Sequence, residues 1–329
     1  MAPPARLARV RHHWRLLVGL VGIAVAAWAL ASQRAQLSGS VAIVLHANAV
    51  LGAIAFVLEA ASDTAWALMT YVLLPSGTRL GWVRFLAISL AALSITNSIP
   101  FGAGVSAVWV VAQLHDADVD VLAAASVIAA SNLVAMGTLI ALFALALVVH
   151  APASSVLSSL DDALIVAVGI AAALALWQLE RLSAWVAELL TRLATRVRWR
   201  RLAASARRLQ PLRIPPRRLG ASIGLGAGNW AFDFGALLVA LAAVDAHVSV
   251  AAAASAYVVG ALATNLPITP GGLGVVEGSI TVALVAFGGA PVPMLAAVIL
   301  YRLASYWIWL PIGWAAYFWI ARRPTNATT

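Results

Sequence analysis

The chain has 329 residues, of which 63% are hydrophobic and only 10% charged. A soluble domain carries about 25% charged residues, so that class is excluded and the chain reads as an all-α polytopic membrane protein. Its 21 basic residues, every one an arginine, outweigh 12 acidic ones for a formal charge of +9, but no nucleic-acid reading motif accompanies them, and positive-inside placement and anionic headgroups account for them.

Cysteine is absent, which removes disulfides, thiol chemistry and Cys-based metal sites. The N-terminus, "MAPPARLARVRHHWRLLVGLVGIAVAAWALASQ", admits two readings: a signal peptide ending in an A-x-A-like "ALA", or an uncleaved first span. Both place Arg6, Arg9, Arg11 and Arg15 on the cytoplasmic side. A span needs about 20 apolar residues to cross ~30 Å of hydrocarbon. In chain order the continuous candidates are 16–32, 41–73, 120–149, 162–180, 219–243 and 291–320, about six full spans. Two further apolar regions, 83–114 and 248–287, are interrupted by helix breakers: "TNSIPFGAGVSAVW" from Thr96 and "TNLPITPGGLGVVEG" from Thr264. Between the halves lies 181–218, a polar stretch with eleven arginines and helical apolar spacing in its first part, which reads as a cytoplasmic loop lying along the inner leaflet.

Counting crossings decides how the interrupted regions behave. If 83–114 crossed once, the eleven-arginine loop would fall outside the cell, against the positive-inside rule. If it enters and leaves by the same face, 150–161 lies outside and 181–218 inside. The same argument makes 248–287 a hairpin and leaves Arg322 and Arg323 in the cytoplasm. The expected architecture is therefore six spans plus two re-entrant hairpins, about eight apolar segments, with both termini cytoplasmic in the inner cell membrane. Ordinary Pro/Gly kinks in packed helices are the alternative, but they do not reproduce the arginine placement. The expected divisions are 1–40 (tail and first span), 41–149 (first membrane repeat), 150–180 (linking span), 181–218 (arginine-rich loop), 219–320 (second repeat) and 321–329 (tail).

The halves match in order. "TN" at 96–97 meets "TN" at 264–265; Pro100, Gly102 and Gly104 meet Pro270, Gly272 and Gly274; Glu59 and Asp63 meet Asn229 and Asp233. An odd number of crossings between the copies makes this an inverted repeat, an arrangement that in secondary transporters places the site at broken helices between the halves. The hairpin tips (Asn97, Pro100, Gly102, Gly104; Asn265, Pro270, Gly271, Gly272, Gly274) are thus candidate substrate-binding positions, because irregular backbone at membrane depth is tolerated only around protein or a wet cavity. The helix start at "GGLGVVEG" offers N–H groups to a phosphate or carboxylate. Ionisable residues within apolar stretches cost at least ~2.5 kcal/mol unless paired or hydrated, which singles out Glu59, Asp63, Asp233, Glu277 and Arg302. Arg302 is either a structural partner of Glu277 or Asp233, or a contact for an anionic substrate. Glu59 and Asp63, one helical turn apart, suit proton coupling or attraction of a cationic headgroup. His46 reads as interfacial and His115 as loop-bound, neither with metal-ligand company. No nucleophilic or metal-assisted constellation can be assembled, so neither an enzyme nor a cofactor is expected.

"LPITPGGLGVVEG", followed by "AAVILYRLASYWIWLPIGW", resembles the membrane domain of the lysylphosphatidylglycerol synthase/flippase family over about residues 41–320. The resemblance implies a multi-pass domain that moves an anionic or aminoacylated lipid, or a lipid-linked intermediate, between leaflets. It points to Asn265, Pro267, Pro270, Gly271, Gly272, Gly274, Glu277, Tyr301 and Arg302 as the family-like positions. Two departures narrow it. The chain stops at Thr329, so the soluble aminoacyl-transfer domain of bifunctional members is not expected, and "NSIPFGAGVSAVW" lacks the Arg and Glu that many members carry in the first motif. The expected function is a lipid translocase with membrane lipids as partners; a transporter of a small soluble anion and a non-transporting partner of a lipid-modifying enzyme are the alternatives.

Overall fold

The computed structural model describes residues 34–99, 102–150, 214–264 and 269–322, and all regular structure among them is helical. The first half contains α1 (Arg34–Leu45), α2 (Ala49–Val72), α3 (Trp82–Ser98), α4 (Gly102–His115) and α5 (Val121–His150). The second contains α6 (Pro216–Ala243), α7 (Val250–Thr264), a 3₁₀ turn (Pro270–Gly272), α8 (Val275–Ala286), α9 (Pro291–Arg302), a π turn (Leu303–Trp307) and α10 (Trp309–Ala321). Each half thus runs long helix, two short helices, long helical segment. Among the described residues, four segments are long and apolar enough to cross a membrane: Ala49–Val72, Val121–Leu142, Pro216–Ala243 and Pro291–Ala321. The short helices Trp82–Ser98, Gly102–His115 and Val250–Thr264 each fall below the about 20 residues that a straight crossing needs. The expected spans 16–32 and 162–180, and most of the arginine-rich loop, lie outside the described residues.

Local chemistry explains the boundaries. The expected span 41–73 is not continuous: it starts at Ala49, because Asn48 takes an extended conformation and its side chain accepts the N–H groups of Val50 and Leu51. The Asn48 N–H in turn donates to the Ala243 carbonyl at 2.9 Å, tying the start of α2 to the end of α6. Pro216 and Pro291 open α6 and α9, where the missing N–H has no helical partner to lose. His115 is not in a loop; it closes α4, with its ring on the Val119 carbonyl.

Two apolar cores divide the bundle. Phe85, Ile88, Leu114, Val127 and Val134 centre the first, which α2 to α5 build. Leu237, Ala253, Ile280, Leu284 and Met294 centre the second, around α6 to α9. The long helices α2 and α6 pack against each other between them. At their crossing the Ser62 hydroxyl donates to the Asn229 carbonyl at 3.0 Å, and the Asn229 amide donates to the Ser62 carbonyl (3.1 Å) and hydroxyl (2.7 Å). Gly226 lets α6 approach closely, since a Cβ there would stand 3.0 Å from the Thr138 hydroxyl and 3.2 Å from the Met69 sulfur. Val50, Val57, Val83, Val108 and Val282 remain exposed on the outside, the surface an acyl-chain solvent would cover.

Candidate functional site

The two breaks, far apart in the chain, converge on one tyrosine. At the second break the backbone passes through three glycines with positive φ: Gly271 (57°), Gly272 (70°) and Gly274 (79°). Residues with side chains rarely enter that region, and at Gly271 a Cβ would also strike the Tyr306 ring. Pro270 opens the 3₁₀ turn and Gly274 caps α8. Glu277, in the first turn of α8, reaches back so that its Oε2 accepts the Gly274 N–H at 2.7 Å. That amide is therefore occupied, as are those of Gly272 and Leu273, which donate to Thr269 and Pro270 carbonyls.

The other Glu277 oxygen, Oε1, accepts from Arg302 Nε at 2.7 Å. Arg302 Nη2 donates to the Gly271 carbonyl at 3.0 Å, and its guanidinium carbon lies 4.4 Å above the Tyr306 ring centre. Tyr306 then donates its hydroxyl to the Asn97 carbonyl at 2.8 Å, in the last turn of α3. Arg302 thus holds the second tip, and Tyr306 ties it to the first. The ion pair is largely withdrawn from solvent, with side chains 9% and 19% exposed. Removing one partner of such a pair typically costs about 3–5 kcal/mol, because the other charge is left behind unpaired.

A second polar group sits beside this one, reached through the neighbouring residue Tyr301. Its hydroxyl donates to Asp233 Oδ1 at 2.6 Å, and the Tyr257 hydroxyl donates to Asp233 Oδ2 at 2.8 Å. Glu59, 4% exposed, faces the same carboxyl from α2, and Asp63 lies one turn further along that helix, within electrostatic reach of it. Glu59 Oε1 and Asp63 Oδ2 are buried without a hydrogen-bond partner. Two bare carboxylates ~4 Å apart at an effective dielectric of ~20 repel by about 4 kcal/mol, so such a group does not gather three negative charges without compensation. Among the described residues no set of three acidic or histidine side chains is placed to hold a metal ion.

Of the expected positions, Glu277, Arg302, Gly271 and Asn97 come together at Tyr306, and Glu59, Asp63, Asp233 and Tyr301 form the adjoining group. Gly102 allows α4 to start against α3, since a Cβ would meet the Thr96 and Ile95 carbonyls. Gly104 faces open space, with nothing near its Cβ direction. Pro100, Asn265 and Pro267 lie outside the described residues. Tyr257 and Tyr306 were not singled out. Their signal was faint: Tyr306 follows Arg302 by one turn, and Tyr257 is the one aromatic residue in the alanine-rich α7. Two open hollows, of about 450 and 320 Å³, lie away from this site. Trp82, Arg84 and Trp319 line the first; Tyr71, Thr78 and Arg218 line the second.

Long apolar helices, lipid-compatible outer faces and charged residues paired within the bundle define a multi-pass, all-helical membrane protein. Residues 15–313 match the family described as the lysylphosphatidylglycerol synthase TM region, and the chain belongs to that family. A search of curated proteins finds no match.

Proposed function

We propose that this protein moves an anionic or modified phospholipid, or a lipid-linked intermediate, between the leaflets of the cell membrane, without covalent chemistry. One observation carries the reading: the two broken segments meet around a buried arginine that is bonded to one tip and, through Tyr306, to the other. Helices broken around a charged centre at membrane depth are the hallmark of sites that let a polar group through an apolar layer. Membership of a family described by a lipid synthase's membrane region supports a lipid as the cargo.

In this reading α3–α4 and α7–α8 are re-entrant hairpins, and the halves form an inverted repeat with both termini in the cytoplasm. Arg302 attracts the headgroup phosphate, releasing Glu277 as it does so, while the acyl chains stay in the surrounding lipid. Asn97 and the glycine-rich turn before α8 line the passage, and one half rocks against the other to open it to each face. The test is lipid movement in proteoliposomes that carry the purified chain and a trace of fluorescent phosphatidylglycerol, read by bleaching the outer leaflet. The wild-type chain should bring inner-leaflet probe within reach of the bleach, and Arg302→Ala should not. Unchanged lipid distribution alongside uptake of a water-soluble anion would overturn the lipid reading in favour of soluble-anion transport.

A further inference from the structure

Arg302 has a used partner on one side and an unused one on the other. On the used side are Glu277 and the Gly271 carbonyl. On the other, within reach of its field, is Glu59, whose Oε1 is buried without a partner. Glu59 on α2 lies opposite Asp233 on α6, one turn along the crossing from the Ser62–Asn229 bonds. Carboxylates only accept, so two carboxyl groups can share a hydrogen bond only when one keeps its proton. Tyr257 and Tyr301 already donate to both Asp233 oxygens while Glu59 Oε1 has no donor, so a proton kept on Glu59 removes the repulsion between the two carboxyls. We propose that the Glu59–Asp233 pair, with Asp63 beside it, holds one exchangeable proton, and that its departure draws Arg302 from Glu277 toward this pair, making movement of the cargo proton-coupled.

This inference rests on the lipid-movement reading and adds its energy source. The charged and titratable groups around the pair are few. On α2 they are Glu59 and Asp63, on α6 Asp233, on α7 Tyr257, on α9 Tyr301 and Arg302, on the π turn Tyr306, and on α8 Glu277. The described side chains of α5, 121–142, include none, and the arginines of α3 and α6, Arg84, Arg217 and Arg218, stand near the far ends of those helices. The step balances simply: an O–H bond of one carboxyl breaks, the proton passes to water on one face, and the pair gains one negative charge. That charge competes with Glu277 for the guanidinium. Once Arg302 moves, Glu277 and the Gly271 carbonyl lose their bonds to it, and the tip is released from α9. Tyr301 and Arg302 are consecutive, so the residue that contacts the proton site and the residue that clamps the tip move as one backbone unit. The π turn that follows supplies the slack.

The experiment uses proteoliposomes of phosphatidylethanolamine and phosphatidylglycerol with a trace of fluorescent phosphatidylglycerol and an entrapped pH dye. An imposed gradient of about one pH unit should shift the inner-to-outer distribution of the probe by up to about tenfold, since that gradient is about a tenfold proton ratio. A lipid-dependent proton flux should accompany the shift, and both should vanish in Glu59→Gln and Asp233→Asn checked for unchanged gel-filtration behaviour. Lipid movement that ignores the gradient, with no proton flux, overturns the coupling and leaves the translocase reading standing. A gradient response that survives both substitutions overturns the assignment to this pair. Absence of lipid movement in every condition overturns the translocase reading and the coupling with it.

Discussion

Arg302 joins more of the site's groups than any other residue described there: Glu277, the Gly271 carbonyl and the Tyr306 ring. Its ring contact with Tyr306 and its bonds to Glu277 and Gly271 require the planar guanidinium fork, which lysine lacks. Arg302→Lys should therefore bind cargo poorly as well as pack poorly, with lipid movement down at least about tenfold, a loss worth about 1.4 kcal/mol. Arg302→Ala should lower stability by about 3–5 kcal/mol, seen as a fall in the thermal denaturation midpoint in detergent. Arg302→Met combined with Glu277→Leu should recover most of that stability and none of the transport, because neither charge is then stranded. Recovery of transport in the double variant would show that the pair is only structural. The sequence made Arg302 and Glu277 legible because an ionisable residue in an apolar run always needs an explanation. It left open which carboxylate Arg302 chooses. The answer depends on Glu277 being swung back over Gly274, a fact of local backbone geometry.

At the scale of single elements, the short paired helices and the long helices differ in how far the sequence announced them. The interruptions between α3 and α4 and between α7 and α8 were readable from proline and glycine, and the short helices Trp82–Ser98, Gly102–His115, Val250–Thr264 and Val275–Ala286 lie within or close to the expected regions 83–114 and 248–287. The start of α2 was misread because apolar character alone runs through Leu45; only the Asn48 cap, a single side chain in a permissive stretch, marks the stop. Gly271→Ala should be among the most damaging small changes, since it combines a strained φ, costing about 1–3 kcal/mol, with a collision against Tyr306. Tyr306→Phe keeps the ring and loses the bond to Asn97, so it should unfold nearly as late as wild type while moving lipid more slowly. At the α2–α6 crossing, Asn229→Ala removes the donor to the Ser62 carbonyl and hydroxyl oxygens, leaving only the Ser62 hydroxyl's bond to the residue-229 carbonyl, and should cost about 1–3 kcal/mol in the same thermal measurement.

For the molecule as a whole, the legible part was the order of its segments and the unreadable part was their contacts. Matching Glu59 and Asp63 with Asn229 and Asp233 singled out residues of α2 and α6, the two helices that pack against each other. It did not show that these residues face each other across one crossing. Contacts such as Tyr306 to Asn97, or the Trp314 indole N–H to the Ser98 hydroxyl at 3.0 Å, join segments more than half the chain apart and leave no local trace. They do permit a direct test of the proposed rocking motion. Because the chain has no cysteine, a Ser98→Cys, Trp314→Cys pair needs no background removal. Bridging the pair with a short bifunctional thiol reagent should stop lipid movement, and cleaving the bridge should restore it; undiminished movement in the bridged protein would exclude relative motion of α3 and α10.

The π turn at Leu303–Trp307 has a mechanical meaning of its own. It carries one residue more than an ordinary helical repeat, and its Ile308 N–H bonds back to Leu303 at 3.2 Å. Successive residues in an α-helix are offset by about 100°. Annealing that extra residue away would therefore swivel everything beyond it by about that angle, carrying the Trp309 ring off Phe56, which it now overlies at 5.5 Å. A one-residue dislocation placed directly after the arginine thus gives α10 an axis about which it could turn while α9 stays in place.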